Sequence, residues 1–192
     1  MSEELSLEIN LVNVRISYPH IFEPYAGPNG GKAKYSAKFL LSKTEHKALI
    51  ATAGAQIKAL IAKEFKGKTR VPAGDKLCLR DGDQSGVPDE AGFWTLSASE
   101  STRPVVVHKD RSPLVESDGV IYPGCRVNAK VRLWAQDNTY GVRINANLLG
   151  VQFVKDDEKL GSGRTQYSAD DLFEDVSGAF GDDSPVDSDP FG

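Results

Sequence analysis

The 192-residue chain has only two cysteines, Cys78 and Cys125, and they are far apart in sequence. Isolated cysteines predict neither a disulfide framework nor a CxxC metal site, so we expect buried thiols in a reducing cytoplasm. None of the three histidines is at ligand spacing from another histidine or a cysteine, which argues against zinc. No hydrophobic run is long enough to span a membrane, and we find no secretory signal. We therefore expect no metal, no cofactor and no membrane partner.

Sequence motifs typical of catalysis are also missing. Neither the phosphate-binding pattern GxxxxGK[ST] nor the nucleophile pattern GxSxG occurs. The segment "DGDQSG" partly matches a calcium loop, but position twelve, where an EF-hand has glutamate, is Gly92. Two alternatives to a binding protein stay open. One is a metal-dependent nuclease that uses Asp81, Asp83 or Asp89, and the other is a virion structural β-protein.

Charge is distributed unevenly along the chain. Residues 156–192 contain eleven acidic and two basic residues, a net charge of −9, whereas the preceding part carries +5, so that the total is −4. The acidic segment also has too few apolar residues to offset the entropy cost of ordering. We therefore predict a folded domain over residues 1–155 and a flexible, disordered acidic tail over residues 156–192.

The hydrophobic pattern of residues 1–155 is mainly that of β-strands. Strands are predicted at 12–19, 32–41, 76–80, 93–99, 103–108, 125–134 and 142–154. A long loop is predicted at 20–31 and a turn at 135–141. One helix is predicted to begin after Ser42, with Glu45 completing a capping box, and to end before Gly67. A small barrel with one helix is favoured, and a β-sandwich with an appended helix is the alternative.

Basic residues alternate with apolar residues on several predicted strands and share their outward faces with aromatic side chains. Such surfaces bind single-stranded nucleic acid because cations contact phosphates and rings stack on unpaired bases. The candidates for phosphate contact are Arg15, Lys32, Lys34, Lys38, Lys130, Arg132 and Arg143. The candidates for stacking are Trp134, one of Phe93 and Trp94, Tyr18 and Tyr25. Alternating lysines also simply solvate a strand, and Trp134 could instead cover the end of the barrel or pack on the helix. RNA remains a possible ligand, because stacking does not reject a 2′-hydroxyl.

The basic, strand-rich body, the Gly/Ser linker and the C-terminal "DDSPVDSDPFG" together resemble phage-encoded single-stranded DNA-binding proteins. The similarity is to a phage replication-module family and, more distantly, to T7-type and bacterial SSB proteins. It implies an OB-fold-like five-stranded barrel with one helix and additional strands. It also implies a non-enzymatic protein, monomeric or dimeric, that binds single-stranded DNA without sequence preference. The expected setting is replication, recombination and repair in the cytoplasm of an infected bacterium.

The same resemblance implies that the tail binds replication and recombination proteins, such as a polymerase, helicase or nuclease. The candidate partner-binding residues are Asp182, Asp183, Asp187, Asp189, Pro190 and Phe191. In bacterial SSB the phenylalanine carries the terminal carboxylate, whereas here Gly192 follows Phe191 and displaces that carboxylate by one residue. We also expect the tail to occupy the protein's own basic groove until DNA displaces it and frees Phe191.

Overall fold

The structure, a computed structural model, describes residues 5–161 and 173–174. Within these residues the chain forms seven strands and one helix. They are β1 (Glu8–Tyr25), β2 (Lys34–Ser42), α1 (Lys47–Glu64), β3 (Leu79–Asp81), β4 (Phe93–Glu100), β5 (Val105–Val107), β6 (Arg126–Asn138) and β7 (Gly141–Lys155). The prediction of a mainly β domain with one helix is confirmed. The predicted partner-binding residues of the tail, 182–191, lie outside the described residues.

The strands form one sheet in the order β3–β4–β2–β1–β6–β7–β5, and every neighbouring pair is antiparallel except β5 and β7. A parallel bridge joins Leu77, just before β3, to Ile144 of β7. Strands β4 and β7 consequently lie side by side. The sheet closes into a barrel in this way, which favours the predicted barrel over the β-sandwich. Its long strands are β1, β2, β4, β6 and β7, while β3 and β5 have three residues each.

Alternation along the strands fills the barrel with apolar side chains, because every second residue points inward. Those with no exposed surface include Leu11, Val14, Ile16, Phe39, Leu96, Leu133 and Ile144. Helix α1 packs Ala53, Ile57 and Leu60 against this core. Cys78 and Cys125 are both buried free thiols, as predicted, and burial raises the pKa of Cys78 to about 11.

Helix α1 begins later than predicted, at Lys47. Ser42 is the last residue of β2, and its hydroxyl accepts hydrogen bonds from the backbone N–H groups of Thr44 and Glu45 at 3.3 and 3.2 Å. The capping box fails because the Glu45 carboxylate accepts a hydrogen bond from Arg126 at 2.8 Å instead. Ser42 therefore closes a turn that precedes the helix. At the other end Gly67 follows the helix closely, as predicted, with a φ of 73°.

Strand β1 runs through Pro19 to Tyr25, so the prediction of a loop from residue 20 is wrong for its first part. The register with β2 shifts between Ser17 and His20, and a proline is tolerated at such an irregularity because a ladder hydrogen bond is already missing there. Pro19 therefore marks a bulge within β1 and not the predicted end of the strand.

Two irregularities break the inward–outward alternation of β1, one between Leu11 and Val14 in the register with β6 and the other between Ser17 and His20. Val12 and Tyr18 are an even number of residues from buried Val14 and Ile16, so strict alternation would turn them inward, but they are 59% and 57% exposed. Tyr18 has a φ of 48°, in the left-handed region that side chains rarely adopt. The backbone there turns its ring out of the core.

The predicted turn at 135–141 is shorter than expected, since β6 and β7 are separated only by residues 139–140.

Residues 156–161, which the sequence assigns to the tail, are hydrogen-bonded to the barrel. The hydroxyl of Tyr122 donates to Asp156 at 2.9 Å, and the N–H of Leu160 donates to the carbonyl of Pro123 at 2.9 Å. The N–H of Gly161 donates to the carboxylate of Asp89 at 2.8 Å. The hydrogen-bonded part of the chain thus extends beyond β7 to Gly161.

Candidate nucleic-acid interface

A groove of about 300 Å³ crosses the outside of the barrel where β4 lies beside β7. Its basic side chains are those of Lys38, Lys76, Arg80 and Arg143. Its small and polar side chains are those of Ser36, Ser97, Ser99 and Asn145, and Tyr18 borders it. We call this feature the β4–β7 groove. Lys38 and Lys76 are ion-paired with Glu90 and Asp75, so the four cations give a net charge of roughly +2 around small polar side chains that leave room for a phosphate backbone.

Strand alternation builds both walls of the β4–β7 groove. On β4 the small side chains of Ser97 and Ser99 point outward while Ala98 points into the core. They lie opposite Lys38 and Ser36 of β2, respectively. On β7, Arg143 and Asn145 face outward while Ile144 and Ala146 are buried. The period-two pattern therefore assigns these polar residues to the outside, and closure of the barrel brings the two strands together.

Lys38 is held at the groove by two neighbours. Its Nζ lies 5.5 Å from the ring centroid of Tyr18, a cation–π distance. The same atom donates to Oε1 of Glu90 at 2.5 Å. Because Glu90 is only 2% exposed, this ion pair fixes the lysine head within the groove. The exposed ring of Tyr18 remains available to stack on a base.

The outward side chains of β6 and β7 extend the groove into a second surface. This β6–β7 face consists of Arg132, Trp134, Gln136, Arg143, Asn145 and Asn147. Trp134 lies opposite Asn145 in the strand register, and its side chain is 38% exposed. Arg143 and Asn145 belong to both surfaces, so that Trp134 adjoins the groove. Arg143 makes no ion pair with any residue of the described chain.

Lys130 and Arg132 share one acidic partner on the neighbouring strand. Their side chains lie 2.9 and 2.6 Å from the carboxylate of Glu8, and hydrogen bonds from both hold the pKa of Glu8 below its usual value. Both side chains remain about half exposed. Together with the negative charge of Glu8, Lys130 and Arg132 therefore present a net charge of roughly +1 rather than +2.

The structure does not bring Arg15 to this surface. Its side chain is 12% exposed, its Nε donates to the carbonyl of Gly124 at 3.1 Å, and its Nη2 donates to the carbonyl of Glu158. Residues 156–161 cover the outward face of β1 at this point. Arg15 therefore anchors the chain beyond β7 instead of facing solvent.

Phe93 and Trp94 also lie away from the β4–β7 groove, at the other end of β4 from Ser97 and Ser99. Trp94 pairs with buried Leu41 and is itself partly buried against the core. Its ring lies 5.9 Å from Nζ of Lys43. Neither aromatic side chain lines the groove.

Tyr25, Lys32 and Lys34 lie on the hairpin arm formed by the ends of β1 and β2. Tyr25 is half exposed and stacks on His20 with 4.5 Å between ring centroids. Lys34 lies opposite Tyr25 in the register, and Lys32 is exposed in the connecting loop. The arm starts at the groove, because Tyr18 and Ser36 lie at its base. It adds two cations and one ring beside the groove's edge.

Sequence reasoning missed two groove cations, Lys76 and Arg80. Both flank the apolar residues 77–79, and the sequence pattern predicts only a strand for this segment. They reach the groove because Leu77 pairs with Ile144, a contact that joins segments far apart in sequence. A local sequence pattern carries no information on such a contact, although the sequence does show a basic residue on either side of "LCL".

The aspartates of the nuclease alternative are engaged in structural contacts. Nζ of Lys43 lies 2.5 Å from both Asp81 and Asp83, and Asp89 accepts from Gly161. Hydrogen bonds from the N–H of Gly92 and from Lys43 lower the pKa of Asp83. Residues 5–161 and 173–174 contain no group of three or more histidine, cysteine or acidic residues placed to hold a metal ion. Across the same residues no helix is long and apolar enough to cross a membrane.

Comparison with known proteins gives a family match over most of the chain. Residues 7–183 match the model of the Enterobacter phage Enc34 ssDNA-binding protein family. A structure of the single-stranded DNA-binding protein from bacteriophage Enc34 in complex with ssDNA is 41% identical, with a TM-score of 0.74, over 81% of this chain and 90% of that one. This match also confirms the predicted OB-fold-like class.

Two further proteins are similar. Putative protein p50 of Acyrthosiphon pisum secondary endosymbiont phage 1 is 37% identical over 164 residues, which cover 82% of this chain and 88% of that protein. The crystal structure of gp2.5, a single-stranded DNA-binding protein encoded by bacteriophage T7, gives a TM-score of 0.52 at 14% identity, over 87% of this chain and 100% of that one. The T7 likeness concerns the fold alone.

Proposed function

The chain belongs to the family of the Enterobacter phage Enc34 ssDNA-binding protein, and we propose that it binds single-stranded DNA through the β4–β7 groove and the β6–β7 face. The function of this family is DNA binding and not catalysis, so the chain is a single-stranded DNA-binding protein. The assignment rests on the continuity of the β4–β7 groove with the β6–β7 face. Four basic side chains line a groove bordered by Tyr18, and Asn145, which also lines that groove, lies opposite Trp134 in the strand register.

Basic and aromatic side chains of this surface bind different parts of the strand. Arg80 and Arg143 neutralise phosphates, and each phosphate neutralised releases condensed counterions, while Lys38 and Lys76, which are ion-paired with Glu90 and Asp75, add hydrogen-bond donors along the strand. Tyr18 and Trp134 stack on bases, at about 1–3 kcal/mol per base. Contacts to phosphates and to ring faces do not depend on base identity, so binding is largely independent of sequence. On the hairpin arm, Tyr25, Lys32 and Lys34 extend the track past the groove.

In the infected bacterium the protein would cover DNA strands exposed during phage replication, and also during recombination and repair. Coating a strand protects it from nucleases and from pairing. We further propose that the acidic tail, with Asp182, Asp183, Asp187, Asp189, Pro190 and Phe191, recruits replication and recombination proteins. The basis is its sequence: an aromatic residue among aspartates suits a basic pocket with an apolar centre.

The tail also competes with DNA for the basic surface, in our proposal, because it carries −9 against +5 on the rest of the chain. Deletion of residues 182–192 removes four of these acidic residues. The deletion should raise affinity for single-stranded DNA most strongly at low salt, where charge attraction is least screened. Equal affinities of the full-length and shortened proteins at low salt would contradict the competition.

A titration of labelled oligo-dT across salt concentrations tests the function itself. If Arg80 and Arg143, the groove cations without an acidic partner among the described residues, each neutralise one phosphate, log K should fall against log [salt] with a slope of about −1.4, because single strands give roughly −0.7 per phosphate. A duplex of equal length provides the comparison, and we expect it to bind more weakly. Absence of binding at low salt would refute the proposal. Cleavage of the strand in Mg²⁺ or Mn²⁺ would instead support the nuclease alternative.

A further inference from the structure

A second cavity, of about 630 Å³, opens beside the β4–β7 groove. Four residues line both: Lys38, Leu77, Arg80 and Ser97. A strand that lies in the groove therefore passes the mouth of this cavity, with two cations at the entrance. We call this cavity the side pocket. Its volume lies within the range of about 300–1,000 Å³ that is usual for small-molecule sites.

The interior of the side pocket suits a flat, partly apolar ring. Leu77, Leu79, Val87 and Trp94 provide apolar surface. Trp94 is the large aromatic among them, and base–aromatic stacking tolerates any base. Since Trp94 is absent from the lining of the β4–β7 groove, only a base that leaves the groove could reach its ring.

The outer wall of the side pocket is a closely packed loop. Gly82 in this loop has no room for a side chain, because a Cβ there would lie 2.2 Å from the carbonyl oxygen of Glu90 and 2.6 Å from that of Phe93. Lys43 ties the same loop down through Asp81 and Asp83. The wall is therefore held against the barrel in the free protein, which lowers the ordering cost of binding.

Glu90 places a buried acceptor beside the pocket. Its Oε1 accepts from Lys38, but its Oε2 has no hydrogen-bond donor among the described residues. A buried polar atom without a partner is costly, so a donor supplied by a ligand gains the full benefit of pairing with it. The exocyclic amino groups of cytosine, adenine and guanine are such donors, whereas thymine has a carbonyl where cytosine has its amino group and keeps only its ring N3–H as a donor.

We propose that the side pocket receives one unstacked nucleobase of the bound strand against Trp94, and that Glu90 favours a base carrying an amino group. This inference rests on the proposed function, because it requires a strand in the β4–β7 groove. The preference concerns one nucleotide at a time, so that a long strand of mixed composition is still bound almost regardless of sequence.

The chain has two tryptophans, so Trp134→Phe leaves Trp94 as the single tryptophan, which is excited selectively at wavelengths where tyrosine does not absorb, and retains a ring on the β6–β7 face. This variant is titrated to saturation with end-labelled oligo-dC and with an abasic oligonucleotide of equal length and charge. Anisotropy of the label reports binding, and Trp94 emission reports occupancy of the pocket. We expect oligo-dC to quench Trp94 and the abasic strand to leave it nearly unchanged.

Equal Trp94 emission with both saturating strands would overturn the pocket assignment, whereas failure of both strands to bind would overturn the proposed function instead. A blocking variant, Val87→Phe, narrows the pocket from its loop side. It should abolish the quenching by oligo-dC while the anisotropy change persists. Persistent quenching in a folded Val87→Phe protein would place the base elsewhere.

Glu90→Gln tests the preference with almost no change of shape. The amide oxygen can still accept from Lys38, while the second carboxylate oxygen becomes an NH₂ donor. We expect the natural chain to bind short oligo-dC about tenfold more tightly than oligo-dT, on the scale of one base-discriminating contact. The variant should lose or invert that ratio. An unchanged ratio in a variant that unfolds at the same temperature would overturn the role of Glu90.

Discussion

Arg143 joins the β4–β7 groove to the β6–β7 face and makes no ion pair among residues 5–161, which makes it a sensitive probe of phosphate binding. Arg143→Gln removes one cation and leaves a polar side chain on an outward position of β7. If Arg80 and Arg143, the two groove cations without an acidic partner among the described residues, each neutralise one phosphate, the slope of log K against log [salt] should change from about −1.4 to about −0.7.

The slopes translate into affinities that a fluorescence titration can resolve. Between 50 and 200 mM salt, the natural chain should lose about sevenfold in affinity for oligo-dT and the variant about threefold. The matched control is Lys63→Gln, which removes the same charge from an exposed position near the end of α1, a helix that contributes no residue to the groove. Its slope should equal that of the natural chain.

Two results would refute this reasoning. If Arg143→Gln and Lys63→Gln changed the slope equally, the effect would come from net charge and not from a groove contact. If Arg143→Gln left the slope unchanged while lowering the affinity at every salt concentration, Arg143 would act without neutralising a phosphate. Thermal unfolding of both variants shows that any change reflects binding and not loss of the fold.

Trp134→Ala should weaken binding of oligo-dT by about 1–3 kcal/mol while Trp134→Phe keeps most of the affinity; equal affinities of the two variants would remove Trp134 from the stacking surface. Arg15→Gln should lower the unfolding temperature and leave the salt slope intact, because Arg15 holds the Gly124 and Glu158 carbonyls; a changed slope would return it to the DNA surface. The hydrogen bond from Arg126 lowers the pKa of Asp157 in the folded chain. The ionised carboxylate therefore stabilises the fold above a pH of about 3.9, the usual pKa of an aspartate in an unfolded chain, and this stabilisation is lost as the pH falls further. The stability difference between the natural chain and Asp157→Asn should therefore shrink below pH 4, as followed by thermal unfolding; a constant difference would contradict the assignment.

Local periodicity was sufficient to predict much of the candidate surface. Lys38, Arg143 and Trp134 were placed on outward faces because the period of two is a property of each strand alone. Their assembly depends on closure of the barrel between β4 and β7, which no local pattern encodes. For the same reason Lys76 and Arg80 were missed, although they lie in the groove.

Other residues show that an outward position is not always an exposed one. Arg15 lies on the outward face of β1 as expected, but residues 156–161 fold back over it and take up its hydrogen-bonding capacity. Tyr18 illustrates the opposite case, because strict alternation along β1 would turn it inward and a bulge brings it to the groove edge. Trp94 could not be assigned to either side from the sequence; it lies opposite Leu41, packs partly against the core and also lines the side pocket. In each case a long-range contact or a break in the ladder overrides the alternation.

The central claim is that the β4–β7 groove and the β6–β7 face together bind the strand. The most direct test is an equilibrium titration of oligo-dT at low and moderate salt with the combined variant Arg143→Gln/Trp134→Ala beside the natural chain. We predict that the variant binds at least tenfold more weakly at both salt concentrations and has a shallower salt slope, while its unfolding temperature stays close to that of the natural chain. A folded variant that binds with unchanged affinity and unchanged slope would contradict the claim.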